Sequence, residues 1–257
     1  MTNKLISFVV PVKRVDSRPP MFAECIASIF DNAYDKDSIE VLVGIDKGDT
    51  TTIKYVKESV PERYRSGVVI TLFERPISNN FTQNFYEAGF RLANGDFIWC
   101  IGEDVDILTK DYDLKIREAT NGHHNPYVTV GGRYINGMPD GRNAYCNFPL
   151  IHRDFEHQGS LLPKSINSWG VDAYLHHVFE WLNKPPYTDH NYMSTIDLRE
   201  EIEIRHRSHH FGDFVEDDLY AEQKQRYSLD EGRSIPLEVS NSREYFYTKY
   251  LRMVSCP

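Results

Sequence analysis

The sequence predicts an α/β fold in which a mostly parallel central sheet is flanked by helices. Three observations support this prediction. Short apolar runs alternate with segments of helical spacing along the first 110 of the 257 residues. The apolar runs are continuous rather than alternating, as in strands that are buried on both faces of a parallel sheet. Polar segments follow the runs, and ligands of such sheets bind at the carboxyl ends of the strands.

Four strands and three helices are predicted in the first half of the chain. The predicted strands span residues 6–12, 39–45, 67–73 and 97–101. The predicted helices span residues 21–30, 51–59 and 81–93. The third helix ends at Asn94-Gly95, a pair suited to a helix C-terminus. Strands that alternate with helices imply right-handed crossovers and therefore parallel pairing.

The second half of the chain is less regular. Its predicted elements are strands at 127–134 and 202–206, a helix at 171–182, loops at 131–147, and a charged surface helix or lid at 213–234. We find no internal repeat and no linker. One domain over residues 1–257 is therefore predicted, with a first half at 1–110 and a second half at 111–257.

Composition narrows the class of protein. The net charge is −9 and the pI is about 5.6, which argues against binding nucleic acid through the whole surface. No apolar stretch approaches the ~20 residues that span a bilayer, and the start of the chain lacks the pattern of a signal peptide. The four cysteines are far apart and include no CxxC pair. Reduced thiols and a cytoplasmic location are predicted, and a viral protein in the host cytoplasm is compatible with them.

An acidic cluster directly follows the fourth predicted strand. Glu103, Asp104 and Asp106 lie in the segment Gly-Glu-Asp-Val-Asp, where mutual repulsion would raise their pKa values. A divalent cation relieves that repulsion, and Mg²⁺ and Mn²⁺ prefer carboxylate oxygens and substrate phosphates. The alternatives are a solvated acidic turn or a helix cap at Asp106.

Two further polar segments are candidates for ligand contacts. Asp46 ends the second predicted strand and can hydrogen-bond a base or a ribose, although an ordinary turn has the same composition. Asn84 lies near the start of the third predicted helix, where polar side chains contact phosphate or ribose, or only cap the helix.

The order of three segments resembles the family 2 glycosyltransferases of the GT-A fold, a Rossmann-like single domain. The segments are SFVVPVKR, IEVLVGIDKGDTT and NNFTQNFYEAGFRLANGDFIWCIGEDVD. The resemblance covers residues 5–110 in order and residues 165–215 more loosely. Two departures are Lys47, where the family often has a second acid, and Gln83, where it commonly has Arg.

The resemblance implies roles for individual residues. Donor-binding residues would be Pro11, Val12, Asp46, Asn84, Glu103 and Asp104. Metal ligands would be Asp104, Asp106, His206 and His210. A polar surface loop is the alternative for the two histidines. Asp172, which follows a Trp-Gly pair, matches the family's catalytic base, and an acid that favours a helix N-terminus is the alternative. Trp169 would offer its face to an acceptor sugar, or pack in the core.

The sequence therefore predicts a glycosyltransferase that uses Mn²⁺ or Mg²⁺. It would move a sugar, with inversion, from a nucleoside-diphosphate sugar to an acceptor hydroxyl. A UDP-sugar is favoured, and the acceptor is a glycan, a small molecule or modified DNA. The alternatives are a glycosyltransferase of hydroxylated bases in viral DNA, a nucleotidyltransferase, and a non-catalytic sugar- or nucleotide-binding module.

Overall fold

The computed structural model describes residues 4–14, 21–64, 69–75, 88–123, 125–134, 148–156, 175–176, 178–179 and 194–207. Within these ranges one sheet has the strand order β3-β2-β1-β4-β7-β6-β8-β5. Its strands are β1 (Lys4–Pro11), β2 (Ile39–Asp46), β3 (Val69–Arg75), β4 (Gly95–Cys100), β5 (Val105–Ile107), β6 (Tyr127–Tyr134), β7 (Leu150–His152) and β8 (Thr195–His206).

The described helices connect or flank these strands. They are α1 (Phe22–Asp31), α2 (Thr50–Ser59), α3 (Tyr112–Thr120) and α4 (Arg153–Glu156). Residues 88–92 are also helical, within the third predicted helix, and residues 175–176 and 178–179 are helical within the predicted helix 171–182. The rest of those two predicted helices and the charged segment 213–234 lie outside the described residues.

The first four strands of the sheet are parallel. β2 lies between β3 and β1, and β1 pairs on its other side with β4. Every residue of β2 before its last is buried, which explains its continuous apolar sequence. The predicted α/β class with a mostly parallel sheet is thus confirmed, and each of the four strands lies within about two residues of its predicted bounds.

The other half of the sheet contains antiparallel pairs. β7 pairs antiparallel with β4 and β6, β5 pairs antiparallel with β8, and β6 pairs parallel with β8. The prediction of a loop from residue 131 is wrong for residues 131–134, which belong to β6. Gly131 follows a register shift against β8, and a Cβ there would overlap the carbonyl oxygen of Arg199. The glycine therefore allows close pairing of two strands rather than a loop.

The core lies between the sheet and its helices. α1 buries Phe22, Cys25, Ile26, Ile29 and Phe30, at the spacing of one helix face. In the sheet, the fully buried Trp99 stacks on Phe8 at 5.1 Å and meets Tyr112 edge-on at 5.9 Å. Cys25 and Cys100 are buried free thiols, and burial raises the pKa of each well above its ordinary value. These contacts fix β4, which leads into the acidic segment.

The ion pair of Asp197 and Arg199 on β8 predicts a pH-dependent stability. Arg199 hydrogen-bonds the carboxylate and holds the pKa of Asp197 at about 2, below its ordinary value. A lowered folded-state pKa stabilises the fold above the unfolded-state pKa of ~3.9, and the contribution disappears as the pH falls through the folded-state value. Because both side chains are about half exposed, we expect Asp197→Asn to cost at most ~1 kcal/mol at pH 7.

Urea unfolding of both proteins at several pH values checks this expectation. The difference in the free energy of unfolding should narrow as the pH falls below ~4. A difference that stays constant between pH 7 and pH 3 would show that the ionised carboxylate is not its source.

Candidate active site

The carboxyl ends of the parallel strands bring three predicted segments to one edge of the sheet. Asp46 ends β2, opposite Arg75 of β3, and Pro11 ends β1, opposite Gly44. The amide of Val12 extends this pairing by donating to the carbonyl of Gly44 at 3.0 Å. At β4, the amide of Ile101 donates to the carbonyl of Val9 at 3.1 Å, just before the acidic segment. Pro11, Val12, Asp46 and the acidic segment are therefore neighbours along one edge.

The turn after Asp46 is fixed by the cap of α2. Asp49 accepts hydrogen bonds from the amide of Thr52 at 2.9 Å and from its hydroxyl at 2.7 Å. The same hydroxyl accepts a bond from the amide of Arg14 at 2.8 Å, which ties the chain after β1 to α2. The segments after β1 and β2 thus hold each other in place.

Tyr55 of α2 packs against the segment that follows β1. Burial raises the pKa of the Tyr55 hydroxyl, and the charge of Glu103 adds to that increase. The Arg14 guanidinium lies over the Tyr55 ring, 5.5 Å from its centroid. Tyr55 therefore lies beneath Arg14, and the negative charge of Glu103 acts on its hydroxyl.

Asp104 and His206 face each other across the pair formed by β5 and β8. His206 Nε2 lies 3.3 Å from Asp104 Oδ2, and both side chains are partly buried. β5 and β8 place Val105 opposite His206, and the amide of Arg207 donates to the carbonyl of Asp104 at 2.8 Å. Two residues separated by about one hundred positions in the chain are thus brought together by strand pairing.

The His206 ring is supported from one side by Phe148. The two rings meet edge-on with centroids 5.0 Å apart. The carbonyl of Phe148 accepts a hydrogen bond from the indole of the buried Trp99 at 2.9 Å. A core residue of β4 therefore fixes the aromatic neighbour that orients this imidazole.

Asp106 lies in a different environment from Asp104. It is 3% exposed, and guanidinium groups of Arg205 and Arg207 bond both of its carboxylate oxygens. Burial alone would lower the pKa of Arg207, but the hydrogen bonds and charge of Asp106 outweigh it and raise that pKa. Arg207 also pairs with Glu24 of α1. The buried charge of Asp106 is thus balanced by Arg205 of β8 and by Arg207, which directly follows β8.

Gly102 makes room for the Asp104 carboxylate. A Cβ on Gly102 would overlap Oδ1 of Asp104, so the Gly102→Ala substitution must displace this carboxylate. Because the sequence predicts Asp104 as a metal ligand, we expect Gly102→Ala to weaken binding of Mn²⁺ by about 10- to 100-fold, the range seen when the orientation of a ligand is disturbed. Titration with Mn²⁺, with the thermal midpoint as a check of folding, tests this expectation. An unchanged affinity would mean that the position of Asp104 is irrelevant to the metal.

Four of the predicted site residues lie outside the described residues. They are Asn84, Trp169, Asp172 and His210. Within the described ranges, no group of three or more His, Cys, Asp or Glu side chains is arranged to hold a metal. Asp104 and His206 are thus two potential ligands, and their roles, like those of the four residues, stay predictions.

Sequence reasoning placed Arg205 and Arg207 in a segment suited to an anionic leaving group, but it did not identify them as partners of Asp106, and it did not identify Phe148 as part of the site. A signal for the two arginines was present, since Arg-His-Arg alternates along a predicted strand in the same way as Asp-Val-Asp does in the acidic segment. Pairing of β5 with β8 brings Asp106 and the two arginines to a common face, while Asp104, which precedes β5, meets His206. No comparable signal marked Phe148.

Several solved structures have the same fold and match this chain over most of its length. S. aureus TarS has 15% identity and a TM-score of 0.60, over 91% of this chain and 46% of the TarS chain. TarS 1-349 in complex with UDP has 14% identity and a TM-score of 0.60, over 91% and 75%. The mannosyltransferase PcManGT from Pyrobaculum calidifontis, in complex with GDP-Man and Mn²⁺, has 12% identity and a TM-score of 0.57, over 82% and 59%.

This likeness confirms the predicted GT-A fold, which is the fold of nucleotide-sugar glycosyltransferases. The chain spans less than half of the length of TarS. No family model matches the sequence, and no curated protein does. Among the described residues, no helix combines the length and the apolar character that crossing a membrane requires.

Proposed function

We propose that this chain is a metal-dependent glycosyltransferase that moves a sugar from a nucleoside-diphosphate sugar to an acceptor hydroxyl, with inversion. The observation that carries the proposal is the meeting of Asp104 and His206, 3.3 Å apart, shortly after β4, whose carboxyl end pairs with that of β1. In open α/β sheets, ligands bind outside these strand ends. The fold and the position of the pair therefore support one site for a nucleotide sugar and its metal.

The donor would bind along the edge formed by β2, β1 and β4. Pro11 and Val12 would line the nucleobase, Asp46 would hydrogen-bond it, and Glu103 and Asp104 would lie toward the ribose and the phosphates. The solved structures with this fold include complexes with UDP, with UDP-GlcNAc and with GDP-Man. We favour a UDP-sugar as the donor, and we place Asn84 with the donor-binding residues.

The side chains present fit a divalent metal. Asp104 offers a carboxylate oxygen and His206 an imidazole nitrogen, a donor set that suits Mn²⁺. His210 is proposed as a further ligand. A bound metal would supply positive charge that stabilises the leaving diphosphate. The residues of this chain would hold that charge in place, at the strand ends where the donor phosphates lie.

The acceptor half would complete the site. Asp172 would take the proton of the acceptor hydroxyl as its oxygen attacks the anomeric carbon, and Trp169 would hold the acceptor sugar against its ring. Residues 1–110 would form the donor half and residues 111–257 the acceptor half of one catalytic domain. The location in the cytoplasm and the acceptor, whether a glycan, a small molecule or modified DNA, remain predictions.

A thermal-shift panel tests this function. Nucleoside diphosphates and nucleotide sugars, each with and without Mn²⁺ or Mg²⁺, are added to the chain, because a ligand of the native state raises its thermal midpoint. We expect a metal-dependent shift with one nucleoside diphosphate and its sugar, followed by transfer of that sugar. Binding without transfer or hydrolysis would indicate a non-catalytic module. Transfer of the nucleotide instead of the sugar would indicate a nucleotidyltransferase. Absence of any shift would contradict the donor site.

A further inference from the structure

We propose that Asp106 is a positioning residue rather than a metal ligand. Together with Arg205 and Arg207 it forms a cluster, here called the Asp106 clamp, that sets His206 against Asp104. This inference rests on the proposed function, because it concerns the metal site formed by Asp104 and His206.

Both oxygens of Asp106 are already used inside the protein. Oδ2 accepts from Arg205 Nε at 2.9 Å, from Arg205 Nη2 at 2.6 Å and from Arg207 Nε at 2.8 Å. Oδ1 accepts from Arg207 Nη2. With 3% of its surface exposed, Asp106 would have to give up two guanidinium partners to reach a metal. Asp104, by contrast, is 29% exposed at its side chain.

The two arginines flank His206 in the chain. Arg205 in β8 and Arg207 directly after it both bond Asp106, so they share one face, while His206 between them lies on the other. The face with the arginines meets Asp106, and the opposite face brings the imidazole to 3.3 Å from Asp104. Fixing both neighbours of His206 fixes its backbone, and a slip of one residue would turn the imidazole away.

The clamp is attached to the rest of the fold through α1. Arg207 pairs with Glu24, and the Ser28 hydroxyl accepts from the amide of Ile107 at 3.0 Å. The Asn32 side chain donates to the carbonyl of Ile107 at 2.5 Å. α1 therefore holds β5 at Ile107, the residue next to Asp106, and the two arginines hold the end of β8 to β5. Contacts with α1 and β5 therefore fix the position of the Asp106 clamp in the fold.

Removal of an arginine distinguishes the two possible roles of Asp106, because they predict opposite changes in the affinity for Mn²⁺. If Asp106 were a ligand, loss of Arg207 would free its carboxylate and remove a positive charge near the metal, so Mn²⁺ would bind equally well or more tightly. If Asp106 positions His206 through Arg207, loss of the guanidinium releases β8 and Mn²⁺ binds more weakly. Electrostatics alone does not produce the second result.

The experiment measures Mn²⁺ binding to the full chain by electron paramagnetic resonance, together with nitrogen hyperfine coupling from imidazole. The variants are Arg207→Met and, as a milder change should that protein not fold, Arg205→Met. Arg199→Met is the matched control, because Arg199 makes a bidentate pair with Asp197 on the same strand. His206→Gln identifies the coupling that belongs to His206. Thermal midpoints confirm that each protein is folded.

We expect the dissociation constant for Mn²⁺ to rise by about tenfold in Arg207→Met and less in Arg205→Met, with a weaker nitrogen coupling, while Arg199→Met matches the wild type. Binding that is unchanged or tighter in a folded Arg207→Met or Arg205→Met protein overturns the positioning role. A wild-type protein that binds no Mn²⁺, or whose nitrogen coupling is as strong in His206→Gln as in the wild type, contradicts the proposed metal site itself.

Discussion

Replacing Asp104 by alanine is expected to remove the metal-dependent binding of the nucleotide and to lower sugar transfer by roughly 10³-fold or more. The reason is that Asp104 supplies the charged oxygen of the proposed ligand pair with His206. Charge stabilisation by a metal contributes several kcal/mol to such reactions, and each ~1.4 kcal/mol corresponds to a factor of ten in rate. Initial rates with the donor found in the thermal-shift panel give this value directly.

The effect must be separated from loss of the fold. Asp154→Ala serves as the control, because this carboxylate is 60% exposed at the side chain and lies in α4, beside the distant ends of β4 and β7. Its transfer rate and its metal-dependent thermal shift should equal those of the wild type. If Asp104→Ala keeps its metal-dependent shift, Asp104 is not a ligand, and the acidic segment is a solvated turn.

Much of the parallel half could be predicted because its signals are local. A strand buried on both faces must be apolar throughout, as residues 39–45 are, and a helix that covers a sheet repeats its apolar residues with the period of α1. The position of Asp46 and Asp104 followed from the same logic, since both come directly after such strands. The α/β class and its parallel strands were thus predictable from the first 110 residues, and the GT-A fold was implied by the family resemblance of the same segments.

The antiparallel half was less accessible because its signals are not local. β5 and β7 have three residues each, too short to show a period, and their pairing depends on β8 and on β4. The surroundings of Asp106 depend on Arg205 and Arg207, 99 and 101 positions away. In sequence Asp106 and Asp104 belong to one acidic motif. Only the pairing of β5 with β8 separates a buried acid bound by arginines from an acid that faces a histidine.

Asp172→Asn is expected to lower turnover without the loss of metal-dependent nucleotide binding that is expected for Asp104→Ala. Turnover should fall by about 10²- to 10⁴-fold, the usual contribution of a general base, because an amide does not take the proton of the acceptor hydroxyl. Donor and metal binding should stay near the wild-type values, since Asp172 is proposed to act on the acceptor alone. Initial rates at saturating donor, together with the thermal shift caused by donor and metal, measure both quantities in one protein.

The alternative for Asp172 is an acid that only favours the N-terminus of its predicted helix. In that case Asn, which also suits a helix start, would cost no more than ~1 kcal/mol of stability and would leave turnover unchanged. The dependence of turnover on pH adds a second criterion, because loss of a general base removes the rise in rate that follows its ionisation. Normal turnover in Asp172→Asn would exclude the base role and direct the search to other carboxylates of residues 111–257. A large loss with intact donor binding would place acceptor activation at Asp172, and would divide the chain into a donor half and an acceptor half by function as well as by sequence.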